Sequence, residues 1–304
     1  NSTFKAEERI MVQNIKESAE KREGRLKRRR RELTLDAVLW ILRIILGFIF
    51  IFPLLWAFST SIKTSDEIIS ANISLWVKNP TFENYKYVFT YRNAYRANAF
   101  VVALVNTSIL TAVSMATNLI FCTLGAYAFA KLRFKGHKVI FKIFLSSMMI
   151  PGIITIVPTF VVIRTLNLWG SYWGVILPGA TSVFNIFFMR QFFIGLPDEI
   201  GESAALDGAN ELIICFKIYL PLVKPAIATM AVLCFQGGWN NFLMPYVVLP
   251  DRQLVLSTFI RTFPADNYPV SMAASMVATI PVFVLFIFFQ KYFMNSIVLS
   301  GIKG

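Results

Sequence analysis

The chain has 304 residues, of which 56% are hydrophobic, with 29 Phe and a formal net charge of +13. A soluble domain of this length would leave much of that apolar surface facing water, so the composition excludes an ordinary soluble protein. We therefore expect an all-α integral membrane protein, in which helices of roughly 20 apolar residues cross a hydrocarbon core about 30 Å thick.

Apolar runs of the required length predict about six transmembrane helices. They cover residues 38–58, 100–121 (helical to 129), 140–163, 173–193, 226–248 and 271–289. Pro151, Gly152 and Pro158 fall inside the third run and predict a kink, which a membrane helix tolerates where its neighbours satisfy the freed backbone groups. The domain prediction is a basic N-terminal extension, 1–37, followed by one transmembrane domain, 38–304.

Basic residues set the predicted orientation, because Lys and Arg accumulate in cytoplasmic loops. With the N-terminus inside, 21 of the 30 lie in cytoplasmic segments and 8 in external ones, while Arg43 lies within the first span. We expect a multi-pass membrane protein with both termini cytoplasmic, Asn93 outside and Ala209 inside. The run 25–31 holds six Lys or Arg. A nucleic-acid site is one interpretation of it, and we favour a topology anchor that also attracts anionic lipid.

Signals of catalysis and metal binding are missing from the sequence. There is no GxxxxGK[ST] phosphate loop, no HExxH and no GxSxG, and the single histidine, His137, falls in a basic loop. Cys122, Cys215 and Cys234 show no CxxC pairing, so neither a disulfide nor a zinc site is predicted. The first apolar run lacks the pattern of a cleaved signal peptide and reads as a retained anchor. We expect no enzyme, no ATP site and no cofactor in this chain.

Polar side chains inside the predicted spans should face away from lipid. They are Asn106, Ser114 and Asn118 in the second span, Asn185 in the fourth, and Gln236, Asn240 and Asn241 beside Trp239 in the fifth. One interpretation is that they join helices by hydrogen bonds. The other is a transport pathway lined by Asn118, Asn185, Gln236, Trp239, Asn240 and Asn241, where an aromatic ring beside amides suits a neutral sugar. No charged residue lies deep in spans two to six, which argues against a proton-driven carrier.

The loop 196–221, between the fourth and fifth spans, predicts a helix, a turn and a second helix. Pro197 suits the first helical position, Gly208 suits a left-handed helix stop, and Asn210 can cap the helix that follows. Small residues would let a partner approach closely, and Glu202 and Asp207 offer charged contacts. The loop therefore predicts a docking surface, with a capped surface helix that has no partner as the alternative.

The same loop carries a composite signature of E-A-A, then D-G, then I-x-L-P. It reads here as Glu202-Ser203-Ala204, Asp207-Gly208 and Ile218-Tyr219-Leu220-Pro221. In this it closely resembles the membrane subunits of ABC importers, in the carbohydrate-uptake branch that includes the maltose permease subunit of the G type. Further similar stretches are 126–134, 189–193, 238–242 and 298–304, and the resemblance extends from about residue 36 onward. Three departures are Ser203 for an alanine, Asn241 where relatives often have an acidic residue, and a C-terminal end that is less glycine-rich.

The resemblance implies a type I importer permease fold and a subunit that translocates sugar or oligosaccharide by alternating access. It implies a second permease subunit, two ATP-binding cassette subunits that bind ATP and Mg²⁺, and an extracytoplasmic solute-binding protein. Coupling to the ATPase is then expected at Glu202, Ser203, Ala204, Ala205, Asp207, Gly208, Ala209, Leu220 and Pro221. A membrane scaffold, an unrelated channel and an ABC importer for a non-sugar solute are the alternatives.

Overall fold

The computed structural model describes residues 34–69, 74–92, 98–263 and 267–301, with side chains described as far as residue 290. The basic run 25–31, most of the predicted extension 1–37, Asn93 and the last three residues lie outside this range. Within it, regular structure is helical, apart from an isolated bridge between Arg92 and Asn98. The all-α prediction is confirmed.

The helices follow one another in chain order. The first eight are α1 Thr34–Ser61, α2 Ser65–Ile69, α3 Glu83–Thr90, α4 Ala99–Lys131, α5 His137–Ser146, α6 Ile156–Thr165, α7 Tyr172–Ile176 and α8 Val183–Ile194. The others are α9 Glu199–Leu206, α10 Glu211–Ile213, a π-helical segment Ile214–Tyr219, α11 Leu220–Leu222, α12 Lys224–Trp239, α13 Leu243–Val248, α14 Leu256–Ile260 and α15 Tyr268–Gly301.

Three described helices, α1, α4 and α15, are long and apolar enough to cross a membrane unbroken. Two bent pairs raise the number to five, if each counts as one span: 172–179 with α8 at 44°, and 211–222 with α12 at 93°. The third predicted run is divided into α5 and α6, separated by a 3₁₀ turn and the turns of residues 151–155. Proline removes a backbone donor and blocks the preceding turn, which explains why the interruption falls at Pro151.

The fifth predicted span is shorter than its apolar run. It begins at Lys224, after the 93° bend, and ends at Trp239, so the rest of the run forms the separate helix α13. Gly238 lies in the last turn of α12, where a Cβ would come within 3.2 Å of Cα of Thr111 in α4. The glycine therefore permits a close approach of two helices at the point where the span ends.

The chain divides into two compact units at residue 59. In the second unit α4 is the central helix, packed against α8 and α12, with α3, α14 and α15 meeting the same group of helices. With 33 residues, α4 is about 50 Å long, which exceeds the hydrocarbon thickness of about 30 Å. One buried cluster surrounds Phe100 and Ala103 near its start, and another surrounds Cys122 and Tyr127 near its end. The loop 196–221 packs against the latter.

Candidate functional site

The turn in the loop 196–221 has the conformation that its sequence predicts. Gly208 follows α9 with φ +87°, in the left-handed region that favours glycine. Its N–H donates to the carbonyl of Ala205, and the N–H of Ala209 donates to that of Ala204, both at 3.0 Å. These two bonds form a Schellman motif and satisfy carbonyls at the end of the helix. Gly208 thus gives α9 a defined end.

The two helix starts in this loop differ in how closely they match prediction. Asn210 caps the second helix, since its Oδ1 accepts a hydrogen bond from the N–H of Ile213 at 2.9 Å. The first helix begins at Glu199, with Asp198 before it, so Pro197 lies outside the helix and not at its first position. Instead, the carbonyl of Pro197 accepts a hydrogen bond from a buried tyrosine.

That tyrosine, Tyr219, attaches α9 to the rest of the unit. Its side chain is 2% exposed, and its hydroxyl donates to the Pro197 carbonyl at 3.0 Å and accepts from the N–H of Gly201 at 3.2 Å. A Cβ on Gly201 would lie 2.7 Å from this hydroxyl. The ring contacts Tyr127 and Phe193 in the core, with centroids 6.0 and 6.4 Å apart. Tyr219 therefore fixes α9 on the end of α4 and α8.

Lys131, the last residue of α4, makes a second attachment. Its Nζ donates to the carbonyl of Leu196 and to Oδ1 of Asp198, both at 2.6 Å, and lies 5.0 Å from the ring centroid of Tyr219. The side chain of Lys131 is only 7% exposed. The hydrogen bond and charge of Lys131, with a smaller contribution from Arg133, hold the pKa of Asp198 below its usual value.

A third attachment joins α4 to α10. The hydroxyl of Tyr127 donates to Oε2 of Glu211 at 2.5 Å. Between these attachments lies a cleft of about 360 Å³, whose lining includes Arg133, Glu202 and Ala205. The end of α4 and the loop are thus connected by hydrogen bonds on both sides of the turn.

The residues predicted to couple to a partner divide into two groups by burial. Ala204, Ala209 and Leu220 are half-buried and pack against the core cluster, so their small or apolar side chains hold the loop in place. The remaining members are exposed: Glu202, Ser203, Ala205, Asp207, Gly208 and Pro221. The exposed group is the part of the signature that a partner could touch.

Leu206 belongs to this surface, although it is not among the coupling residues that the sequence predicts. Its side chain is 90% exposed, and Leu212, beyond the turn, is 60% exposed. Large apolar side chains displayed beside charged ones are typical of an interaction surface. Its position in the sequence could have indicated this exposure, since Leu206 lies four residues after Glu202 and therefore on the same helix face.

Asn118 and Asn185 lie together inside the second unit. Nδ2 of Asn185 donates to Oδ1 of Asn118 at 2.8 Å, and Nδ2 of Asn118 donates to the Gly179 carbonyl at 2.9 Å. The thiols of Cys122 and Cys234 donate to the same Oδ1 at 3.2 and 3.3 Å. Both amides are 7% exposed. The network joins α4, α8 and α12, which is the helix-joining use of such side chains; a pathway role for the pair stays a prediction.

The residues at the end of α12 point in different directions. Trp239 is 7% exposed, donates from Nε1 to the Ala278 carbonyl at 3.0 Å, and stacks on Phe235 with ring centroids 5.4 Å apart. Its ring therefore packs within the protein and does not offer the open aromatic face that the sequence suggested. Gln236 and Asn240 are exposed and share a hydrogen bond from Nδ2 of Asn240 to the Gln236 carbonyl, at 3.0 Å.

Asn241 occupies an intermediate position. It is half-buried and lines a small cavity with Ser114 and Gly238, while its backbone carbonyl accepts a hydrogen bond from Ser257 at 2.7 Å. The side chains of Gln236 and Asn240 are thus exposed at the end of the broken span and that of Asn241 is half-buried, whereas Asn118 and Asn185 are buried and bonded to each other.

Residues 121–298 match the model of the family described as binding-protein-dependent transport system inner membrane component. The chain is 35% identical to the arabinooligosaccharides transport system permease protein AraQ of Halalkalibacterium halodurans, over 87% of this chain and 96% of that protein. It is 31% identical to the galactooligosaccharides transport system permease protein GanQ of Bacillus subtilis, over 87% and 94%. A chain in the crystal structure of a bacterial ABC transporter involved in the import of alginate matches with a TM-score of 0.75 and 27% identity, covering 87% of this chain and 98% of that one.

The Tyr219 attachment can be tested by removing its hydroxyl. We expect Tyr219→Phe to leave the Pro197 carbonyl without this donor and the Gly201 N–H with only its bond to the Asp198 carbonyl, at 3.0 Å. Amide exchange in residues 199–206 should then rise about tenfold. Hydrogen exchange followed by mass spectrometry measures this, with Tyr246→Phe as the control at an exposed tyrosine. Gly201→Ala should have the same effect through its clash with the hydroxyl, and the double variant should be less than additive. Unchanged exchange in Tyr219→Phe would show that α9 is held by other contacts.

Proposed function

This chain belongs to the family of inner membrane components of binding-protein-dependent transport systems, and we propose that it forms half of the membrane pathway of a carbohydrate importer. The named relatives serve transport systems for arabino- and galactooligosaccharides, and the similar solved structure is of an alginate importer. These relatives support a sugar or oligosaccharide as the cargo. The single structural observation that carries the proposal is the signature helix α9, exposed on its outer face and attached to α4 on its inner face.

The partners follow from the family. A second permease subunit completes the pathway, two ATP-binding cassette subunits bind ATP and Mg²⁺, and an extracytoplasmic binding protein delivers the sugar. The surface that would receive an ATPase consists of the exposed residues of α9 and its turn, with Leu206 as an apolar contact and Glu202 and Asp207 as charged ones. In this arrangement ATP hydrolysis belongs to the partner and movement of the substrate to the permease pair.

The attachments give this chain a route for transmitting motion. Closure of the ATPase pair on ATP would displace α9, and Tyr219 and Lys131 would carry the displacement to the end of α4. Because α4 packs along α8 and α12, the displacement would reach the helices that hold the predicted pathway residues. The pathway would then alternate between inward-facing and outward-facing forms through movement of packed helices.

The position of the loop on α4 supports the proposed orientation. The loop 196–221 meets the end of α4 at Lys131, whereas residues 254–256 meet its early turns: Nδ2 of Asn106 donates to the Leu254 carbonyl at 2.8 Å, and the N–H of Leu256 donates to Oγ1 of Thr107 at 2.8 Å. These sites are separated by more than the hydrocarbon thickness of about 30 Å. We place the loop in the cytoplasm, on the side with most of the Lys and Arg, and residues 254–256 outside.

Orientation can be tested by single cysteines in a background that lacks the three native ones. We expect Trp76→Cys, at an 86% exposed position, to react with a membrane-impermeant maleimide in intact cells. Leu206→Cys, in the chain expressed without its ATPase, should react only after the membrane is permeabilised. Labelling of Leu206→Cys from outside would reverse the topology.

Coupling can be tested at Gly208. A side chain there is strained by the positive φ, and a bulky one also obstructs the surface offered to the ATPase, since a Cβ meets no atom of the chain within 4 Å. We expect Gly208→Trp to insert in the membrane and assemble its permease pair but to abolish uptake, either by releasing the ATPase or by uncoupling hydrolysis. Uptake and ATPase activity are measured together in reconstituted vesicles.

The controls separate strain from obstruction. Gly208→Ala introduces strain with little bulk and should reduce uptake only partly, and Gly170→Ala introduces strain at another turn, with φ +77°, and should retain coupling. Coupling in Gly208→Trp equal to that of the unmodified protein would mean that this loop is not the mechanical connection.

The pathway prediction can be tested at the end of α12. We expect Asn240→Leu to lower the rate of sugar uptake several-fold while assembly and basal ATPase activity persist, because Asn240 is exposed and its loss leaves no buried group unpaired. Asn185→Leu is the matched comparison, and it should instead reduce assembly, because Oδ1 of Asn118 loses its amide donor in the buried network and keeps only the weaker thiol donors of Cys122 and Cys234. An unchanged uptake rate and substrate range in Asn240→Leu would remove Asn240 from the pathway.

A further inference from the structure

A cavity of about 200 Å³ lies at the end of the second unit that is remote from the loop 196–221. It is formed by α13, the segment after it and α14, close to where residues 254–256 bind to the early turns of α4. In the proposed orientation this is the extracytoplasmic mouth. None of its lining residues belongs to the coupling surface or to the predicted pathway residues.

Arg261 forms one wall of the cavity, and its side chain is held in place by an aromatic ring. The guanidinium carbon of Arg261 lies 4.6 Å from the ring centroid of Tyr246, which is itself stacked on Phe242 at 5.3 Å with 15° between the ring planes. An aromatic face holds a planar guanidinium in a fixed orientation while leaving its N–H groups free to donate. Arg261 makes no ion pair with any residue that the structure describes.

The rest of the lining offers acceptors. Oε1 of Gln253 is buried and has no hydrogen-bond partner among the described residues, although buried acceptors in proteins nearly always have one. Asp251 also lines the cavity, and it is an exposed residue. The cavity therefore combines a fixed donor group with an unpartnered buried acceptor and a carboxylate.

This combination selects among ligand chemistries. An anion would be attracted by Arg261 and repelled by Asp251, whereas a cation would be repelled by Arg261 and attracted by Asp251. A polyol can satisfy both, because each hydroxyl donates one hydrogen bond and accepts others. The volume is below the roughly 300 to 1,000 Å³ of sites for drug-sized ligands, so a single ring fits better than an oligosaccharide.

We propose that this cavity is a subsite for one neutral sugar ring, held between Arg261, Asp251 and Gln253 before the cargo enters the membrane pathway. The inference rests on the proposed function, and it adds a binding site on the permease itself. Its place in the chain suits that role, since Pro245 lines both this cavity and the small one beside Asn241. A ring bound here would lie against Pro245, which separates it from the small cavity that Asn241 lines.

The test uses the complete importer in lipid nanodiscs, without its binding protein. The probes are the methyl glycosides of L-arabinose, D-galactose and D-glucose, with glucuronate and glucosamine as charged comparators, titrated by saturation-transfer difference NMR. We expect at least one neutral glycoside to bind with a preference over both charged sugars. Arg261→Gln and Gln253→Leu should each weaken it about tenfold, the loss of one strong hydrogen bond. Arg252→Gln, at an exposed arginine outside the cavity, should leave binding unchanged.

Several results would overturn the subsite. The first is that no neutral glycoside binds, and the second is that the glycoside affinity is unchanged in both cavity variants. The third is that the variants lose stimulation by the binding protein while their glycoside affinity is unaltered, which would make the cavity a protein-docking site. Size-exclusion profiles of the variants confirm that the complexes assemble. Uptake of labelled oligosaccharide by vesicles distinguishes the two proposals. If the unmodified complex takes up the sugar but the variants bind glycosides with unaltered affinity, the importer proposal stands and the subsite is wrong. If the variants lose glycoside binding but the unmodified complex shows no uptake, the subsite stands and the carbohydrate importer is wrong.

Discussion

Hydrocarbon offers no hydrogen-bond partner to a peptide group, and this constraint accounts for most of the structure. The described chain meets it with helices, and at two interruptions other groups bond to the backbone. Beyond the end of α12, the N–H of Asn240 still bonds to the Gln236 carbonyl at 3.1 Å. The carbonyl of Gly179, beside the bend between α7 and α8, accepts from Asn118. Broken spans are therefore compatible with a bilayer because neighbouring side chains and turns satisfy the backbone groups that a straight helix would have paired.

The connection between α4 and the loop 196–221 joins the signature helix to the core of the second unit. Lys131 and Tyr127 bond the loop to the end of one long helix. Tyr219 joins the two halves of the loop and packs on Tyr127, and the Gly208 turn fixes the direction of α9 relative to α10. The attachments use buried or charge-assisted hydrogen bonds, which cost more to leave unpaired than they contribute when formed.

The polar residues of the second unit serve two purposes that sequence spacing does not separate. Asn118 and Asn185 are buried and bonded to each other, whereas Gln236 and Asn240 are exposed at the end of a span. The exposed amides lie on the part of the chain that leads through α13 to the cavity holding Arg261 and Gln253. The exposed amides and the polar residues of the cavity are thus separate from the buried pair, which joins the helices that carry them.

The sequence by itself determined the class of this protein and the local structure of its signature loop. Apolar runs require spanning helices, Gly208 requires a left-handed turn and Asn210 an N-cap, and these depend only on neighbours in the chain. The sequence could not determine which polar residues are exposed. Trp239, for example, is buried where it bonds to Ala278, a residue far away in the sequence. Nor could the sequence reveal that Tyr219 anchors α9 or that Arg261 stacks on Tyr246, because both contacts join residues 15 or more positions apart. Such contacts arise only when helices pack, and packing is a property of the tertiary structure.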